Sequence, residues 1–343
     1  MNAKGLLFLS LMLMAGQTMT ADSRYAGASL ELGAGARSLA LGGYTVALHG
    51  RVEDFFANPA AMGMLKLPAI GLMYAPTFGK LNDPLAVYHY VGGVMPLLVG
   101  ATVGVHWTRY AVDGIPLYPK LSGNSFAERL ANANLRPSGL AQSSFQDNED
   151  VFYLSFARSF RPLIPLSWLY GDLPIAVSLG LNIKILKQRL YTASASALGL
   201  DVGAMFQFSL EQLLDMDFLG DLNIAVSSLD VTRTPVVWNT RHEDRIHRTV
   251  LSGFSYREDF GRRDVAVHCF YTRYQKYRSV HLYGMEGQYR GIALRLGQGE
   301  QGLHFGAGLT WRTLAADYAF TSFEFGAAHR LSCSFIFGAR KSP

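Results

Sequence analysis

The sequence predicts an all-β fold: a 14-stranded antiparallel transmembrane β-barrel with an N-terminal luminal hatch. Three observations carry it. Val99 to Trp107 reads V-G-A-T-V-G-V-H-W, apolar at each odd position and small or polar at each even one, and this period of two recurs along most of the chain. Only a pleated strand sends alternate side chains to opposite faces. The chain also opens with a secretory leader. Finally, 49% of its residues are hydrophobic, with 17 Tyr, 21 Phe and 35 Gly, which suits a barrel with a lipid-facing exterior and aromatic girdles better than a soluble protein.

The leader comes first. Met1-Asn2-Ala3-Lys4 gives a basic start, Leu6 to Ala15 an apolar core, and the residues to Ala21 a small and polar exit. The core is shorter than the roughly 20 residues that span a bilayer. Residues 1–21 are therefore expected to be a signal peptide, and no Cys near Ala21-Asp22 offers a lipid anchor. Residues 22–66 follow as a hatch segment. From Leu30 to Gly63 they are rich in Gly and Ala, lack strand alternation and end at Asn58-Pro59-Ala60. Small residues allow close backbone packing, Pro59 fixes a turn, and Asn58 can bond its own main chain. A compact segment of this kind before a barrel reads as a plug in the lumen.

Residues 67–343 form the barrel. Strands are expected near 69–78, 86–95, 99–111, 150–160, 174–189, 197–209, 221–231, 248–257, 264–274, 279–289, 291–297, 302–311, 313–321 and 328–338. Pro84 to Thr108 carries no charge and by hydropathy alone resembles a membrane helix. Its two prolines and four glycines, with alternation on either side of Pro96, favour two strands joined by a turn. The last strand ends in Phe335-Ile336-Phe337, resembling the aromatic insertion signal of outer-membrane barrels. Short connections around 96–98, 258–263 and 312–313 define the periplasmic side. Longer ones from Asp113 to Asn148 and Thr232 to Arg248 would face outward. Leu210 to Gly220 reads as a short amphipathic helix on the periplasmic side, and Phe126 to Ala133 as a helical turn within the first long loop.

Gly35-Ala36-Arg37-Ser38 through Ala40-Leu41-Gly42-Gly43, followed by Asn58-Pro59-Ala60, closely resembles the PorV/PorQ family of bacterial outer-membrane proteins. That family is similar in turn to FadL-type transporters of hydrophobic compounds, whose hatch carries the same Asn-Pro-Ala element. Leu181-Asn182-Ile183-Lys184, Gly199 to Ala204, Asp317 to Phe320 and His329-Arg330 extend the likeness over nearly the whole mature chain. The resemblance implies a 14-stranded barrel with a hatch. It also implies either a type IX secretion role, binding or translocating exported proteins, or a passive channel for hydrophobic small molecules. The long loops at 113–148 and 232–248 depart from the PorV pattern.

Within the hatch, Gly35, Arg37, Gly42, Gly43, Asp54, Asn58, Pro59 and Ala60 are the candidate site residues. Buried charges need partners, so Arg37 and Asp54 either fasten the plug, to each other or to the wall, or stand in luminal water. Trp238 and His242 mark the second long loop as a candidate partner-binding surface, since an aromatic in an external loop can anchor a partner. Trp107, Tyr110, Trp311, Phe335 and Phe337 are expected to girdle the membrane interfaces.

Other motifs read as structural. Gly297 to Gly302 matches GxGxxG but precedes a strand instead of opening a helix, so it is a hairpin turn and not a dinucleotide site. His242 and His247 are five apart and would not share a helical face to hold zinc. His106, His268, Ser155 and Asp317 show no spacing that joins them as catalytic groups. No enzyme activity and no cofactor is expected. The net charge of +5 is scattered, excluding a nucleic-acid stripe. Cys269 and Cys333 are expected to be free, lipid-facing thiols. The expected location is the outer membrane, with membrane lipid as one partner. Secreted proteins, secretion-system subunits or hydrophobic small molecules would be the others.

Overall fold

A computed structural model describes residues 26–135, 139–166, 171–260, 264–323 and 326–338. The leader, residues 1–21, lies outside these. The wall comprises β1 (Ala69–Lys80), β2 (Asp83–Pro96), β3 (Ala101–Leu117) and β4 (Ser143–Phe160). A small hairpin follows, β5 (Leu163–Leu166) and β6 (Gly171–Pro174), and then β7 (Ala176–Leu190), β8 (Ala193–Ser209) and β9 (Asp221–Leu229). A second small hairpin, β10 (Pro235–Trp238) and β11 (Glu243–Arg245), precedes β12 (Thr249–Phe260) and β13 (Val265–Gln275). The chain ends with β14 (Ser279–Tyr289), β15 (Ile292–Gly299), β16 (Gly302–Trp311), β17 (Leu314–Phe323) and β18 (Gly326–Ile336).

Setting the two small hairpins aside, fourteen strands pair antiparallel with their neighbours. β1 pairs β18, with Leu72 opposite Cys333, and β8 pairs β9, with Met205 opposite Ala225, so the sheet closes on itself. Closure leaves no unpaired edge, the condition for β-structure in lipid. The 84–108 region is two strands, and among the described residues no helix is long and apolar enough to cross a membrane.

Alternation orients the wall. On β4, Val151, Tyr153, Ser155 and Ala157 point inward and are buried, while Phe152, Leu154 and Phe156 are exposed. On β15, Leu294 and Leu296 face out and Ala293 and Arg295 face in. Cys269 and Cys333 are free and exposed, on the outward parity of their strands. Tyr110 departs from the girdle expectation: it lies on the inward parity of β3 and packs toward Tyr88, ring centroids 6.5 Å apart.

Turn chemistry fixes the register at the tight corners. At the β14–β15 hairpin, Arg290 (φ 47°) and Gly291 (φ 86°) both adopt positive φ, the two-residue geometry that matches strand twist. The greatest departure from the expected strands is the β3–β4 hairpin. It extends to Leu117 and Ser143, and a bulge between Val112 and Ile115 carries the pairing past Asp113-Gly114. The first long loop therefore shrinks to 118–142 and holds a helix at Phe126–Ala131; the expected helix after β8 spans Leu210–Leu214. Loops 118–142 and 230–248 lie at one end of the barrel. The opposite end carries the start of β1, the end of β18 and the 210–220 connection.

Residues 26–66 are not part of the wall. They form short helical turns at Ala28–Leu32, Ala36–Ala40, Val52–Phe56 and Pro59–Met64, and most of their side chains are buried. Phe55 stacks on inward-facing His106 at 3.6 Å, and Phe56, Tyr44 and Leu30 join a cluster with Tyr88, Tyr90, Val151 and Tyr153.

Candidate functional site

The N-terminal segment meets the wall along two separate arcs. On the β7–β8 arc the contact is backbone on backbone. Asn58 is completely buried. Its Oδ1 accepts from the Ala60 N–H at 3.0 Å, capping the Pro59–Met64 turn, and its Nδ2 donates to the carbonyls of Val46 (3.1 Å) and Ala204 (3.2 Å). Pro59 occupies the first position of that turn, where its missing N–H costs nothing. Ser178 Oγ donates to the Ala60 carbonyl at 2.7 Å. This approach requires bare wall: a Cβ on Gly180 would lie 2.2 Å from the Pro59 carbonyl carbon, and one on Gly203 2.0 Å from Asn58 Oδ1.

On the β14–β17 arc the contact is ionic. Arg37 grips Glu286 with Nε at 2.9 Å and Nη2 at 2.7 Å, and its Nη1 donates to the His49 carbonyl at 3.2 Å. Arg295 Nε bonds Glu286 at 2.6 Å, Arg295 Nη2 lies 2.8 Å from Asp317, and Arg51 Nε lies 3.4 Å from the other Asp317 oxygen. The charges alternate from Arg37 to Glu286, Arg295, Asp317 and Arg51, with the first and last supplied by the segment. Alternation of this kind offsets the desolvation of each ion. Next to the ladder, Gly42 (φ 101°) packs on Gly297, whose Cβ would sit 2.3 Å from the Gly42 nitrogen. Gly35 (φ 87°) starts the Ala36–Ala40 helix, and Gly43 (φ 108°) has open space around it.

Arg37 is thus fastened to wall residue Glu286. Asp54 accepts from the Arg51 N–H at 2.8 Å and forms no ion pair with Arg37 among the described residues. Burial, the Asp54 charge adding to it, lifts the Glu53 carboxyl to about 7; burial, opposed chiefly by Arg37, lifts Asp54 to about 6. His49 falls to about 4 through burial and the nearby Arg37 and Arg257.

Two chambers flank the segment. At the long-loop end, a cavity of about 350 Å3 separates it from the wall, with Leu32, Leu39, Tyr44, Phe78, Leu282 and Phe323 among its lining. His304 and Arg330 supply its polar edge, Arg330 donating to the Leu32 and Gly33 carbonyls. At the opposite end a chamber of about 520 Å3 is polar, lined by His49, Arg51, Asn223, Arg257, His268 and Arg295. A third buried group, Lys184 between Asp201 and Asp230 (2.8 Å to each), fixes the root of the 230–248 loop.

In that loop, Trp238 and His242 converge on one carboxylate. Trp238 Nε1 donates to Asp244 at 2.9 Å and His242 Nε2 lies 3.1 Å from its other oxygen. Trp238 is half-buried against the main core, so its indole is held by its own loop. The catalytic candidates stay apart in role: His106 stacks on Phe55, His268 on Phe270, Asp317 serves the ladder, and Ser155 Oγ has no hydrogen-bond partner. Glu286, Arg295, Gly180 and Gly203 were not singled out from the sequence. The signal for Glu286 and Arg295 is a charge on the inward parity of strands whose outward positions are apolar.

No protein-family model matches this chain, and no curated protein does. Among solved structures it is similar to the TodX deltaS2S3 mutant monoaromatic hydrocarbon channel, at 10% identity and TM-score 0.50, over 89% of this chain and 98% of that one. It is also similar to the Ralstonia pickettii toluene transporter TbuX, at 13% identity and TM-score 0.43, over 89% and 98%. A third likeness is to the Acinetobacter baumannii outer membrane protein Omp33, at 10% identity and TM-score 0.40, over 79% and 98%. The first of these likenesses is one of fold. With its closed wall and lipid-facing apolar belt, the chain is an outer-membrane β-barrel of a non-catalytic, channel-type architecture.

Proposed function

We propose that the chain is a passive outer-membrane channel for small hydrophobic molecules, with residues 26–66 acting as a hatch in its lumen. The cavity between that segment and the wall carries this reading. Leu32, Leu39, Tyr44, Phe78, Leu282 and Phe323 give it an apolar lining at the long-loop end, which faces outward in barrels of this kind. The fold shared with a monoaromatic hydrocarbon channel supports the same reading. An apolar solute leaves water for this cavity and then passes the hatch into the polar chamber on the far side. Passage requires the segment to shift, because the ladder and the Asn58 turn lie between the two chambers. The test is uptake of an aromatic hydrocarbon by proteoliposomes holding the full chain. Leu282→Asp, which places a carboxylate in the cavity, should abolish uptake while the barrel keeps its heat-modifiable gel mobility. Unchanged uptake would sink the channel reading.

A second reading, a PorV/PorQ-type receptor for secreted proteins or secretion-system subunits, is favoured by one observation. Tyr118, Leu121 and Phe126 are exposed on the outer loop. Under it, deleting 119–141 would remove a specific exported partner from the native complex and leave hydrocarbon uptake intact.

A further inference from the structure

The outward surface of the wall is electrically lopsided. Toward the long-loop end, its outward strand positions carry Arg109, Lys187, Arg189 and Arg273, with Asp150 as the acid among them. Tyrosine–histidine pairs join them on the same outward parity and at the same end: Tyr271 with His281 at 2.8 Å and Tyr318 with His329 at 2.9 Å.

The cations concentrate where β3, β4, β7 and β8 meet β10, in a groove of about 650 Å3. Arg109 and Asp150 form a two-pronged pair at 2.8 Å, and Trp107 Nε1 adds a bond to the same carboxylate at 2.8 Å. That consumes the one acid. Lys187 and Arg189 remain exposed on the next strand, with the Lys187 ammonium 6.0 Å above the Phe152 ring. Directly below them the surface turns apolar: Phe152, Leu154, Ile185 and Leu198 are all exposed. Asn148, Ser196 and Asn239 line the groove with amide and hydroxyl groups.

We propose that this groove binds a phosphorylated glycolipid of the outer leaflet. Each part of such a molecule has a counterpart here. Acyl chains lie on the Phe152–Leu198 belt, phosphate meets Lys187 and Arg189, and sugar hydroxyls meet Asn148, Ser196 and Asn239. Cations at the lipid interface need a counter-charge at head-group depth, and a lipid phosphate supplies it without burying either ion in hydrocarbon. The paired Asp150 holds Arg109 in place as the groove's fixed edge.

The test uses the full chain in nanodiscs of zwitterionic phospholipid, titrated with a diphosphorylated glycolipid and read by native mass spectrometry. Lys187→Ala with Arg189→Ala should weaken retention about thirtyfold, from roughly tenfold or less per cation. Arg158→Ala, an outward cation at the other end of β4, should leave it unchanged. The dephosphorylated glycolipid should bind the wild-type protein no better than the double variant binds the phosphorylated one. Equal retention by the double variant overturns the proposal. Equal displacement by phosphatidylglycerol or by inorganic phosphate also overturns it, because either would mark a general anion surface. Heat-modifiable mobility of each variant separates lost binding from lost folding.

Discussion

The two arcs that hold the N-terminal segment use opposite physics. On β7–β8, glycine lets backbone touch backbone, and Asn58 closes the contact with three bonds inside a dry interface. On β14–β17, guanidinium and carboxylate alternate beside a polar chamber. Close packing has one arrangement and resists deformation. An ion pair next to water can exchange its partner for solvent in small steps. The difference assigns the β7–β8 arc to a pivot and the β14–β17 arc to a latch, and each prediction below tries to undo that division.

The largest effect is expected at the latch. Arg37→Ala strands Glu286 with Arg295 as its remaining cation, and breaking a buried pair from one side costs about 3–5 kcal/mol. Because the wall is closed without Arg37, the loss should fall on the seating of the segment and not on the barrel. Planar-bilayer conductance should rise, while the unfolding midpoint of the barrel in urea stays close to that of the parent. A silent variant in both assays would show that the ladder fastens nothing.

A smaller effect is expected at the pivot. Gly180→Ala forces a methyl against the Pro59–Ala60 backbone, where no rotamer can relieve it, and overpacking of this kind costs about 1–3 kcal/mol. The signature should differ from that of Arg37→Ala: protease sensitivity around 58–64 with little gain in conductance, since the latch still holds. Equal conductance from both variants would erase the distinction between the arcs.

The sequence disclosed these arcs unequally. The strands were legible because period two is a local property, and the Asn58-Pro59-Ala60 turn because its cap spans two residues. The β3–β4 extension was not, because Asp113-Gly114 reads as a turn and the bulge that absorbs it depends on the partner strand. Polar Ser143 to Glu149 rise above the membrane belt and so carry no apolar alternation. Arg37 announced that it needs a partner, but Glu286 lies 249 positions away and is placed by six strands of register in between. The glycines at 180 and 203 look like ordinary strand glycines until the segment is seated on them.

The finest test concerns two carboxyls at the centre of the segment. Glu53 and Asp54 are buried, and Glu53 Oε1 and Asp54 Oδ1 lack hydrogen-bond partners among the described residues. Their values rise from 4.5 and 3.8 to about 7 and about 6, so the seated segment holds protons that a released one gives up. The sign follows: the seating free energy is fully present in acid, below the released values, and declines as pH rises through about 6 and then about 7. Amide exchange across residues 51–57, corrected for intrinsic rate, should therefore be slower at pH ~5 than at pH ~8. Glu53→Gln, neutral throughout, should remove most of that dependence while leaving the Arg37 latch untouched. Faster exchange in acid would mean that both groups are ionised and paired when seated, and the latch would then extend into the segment's own core.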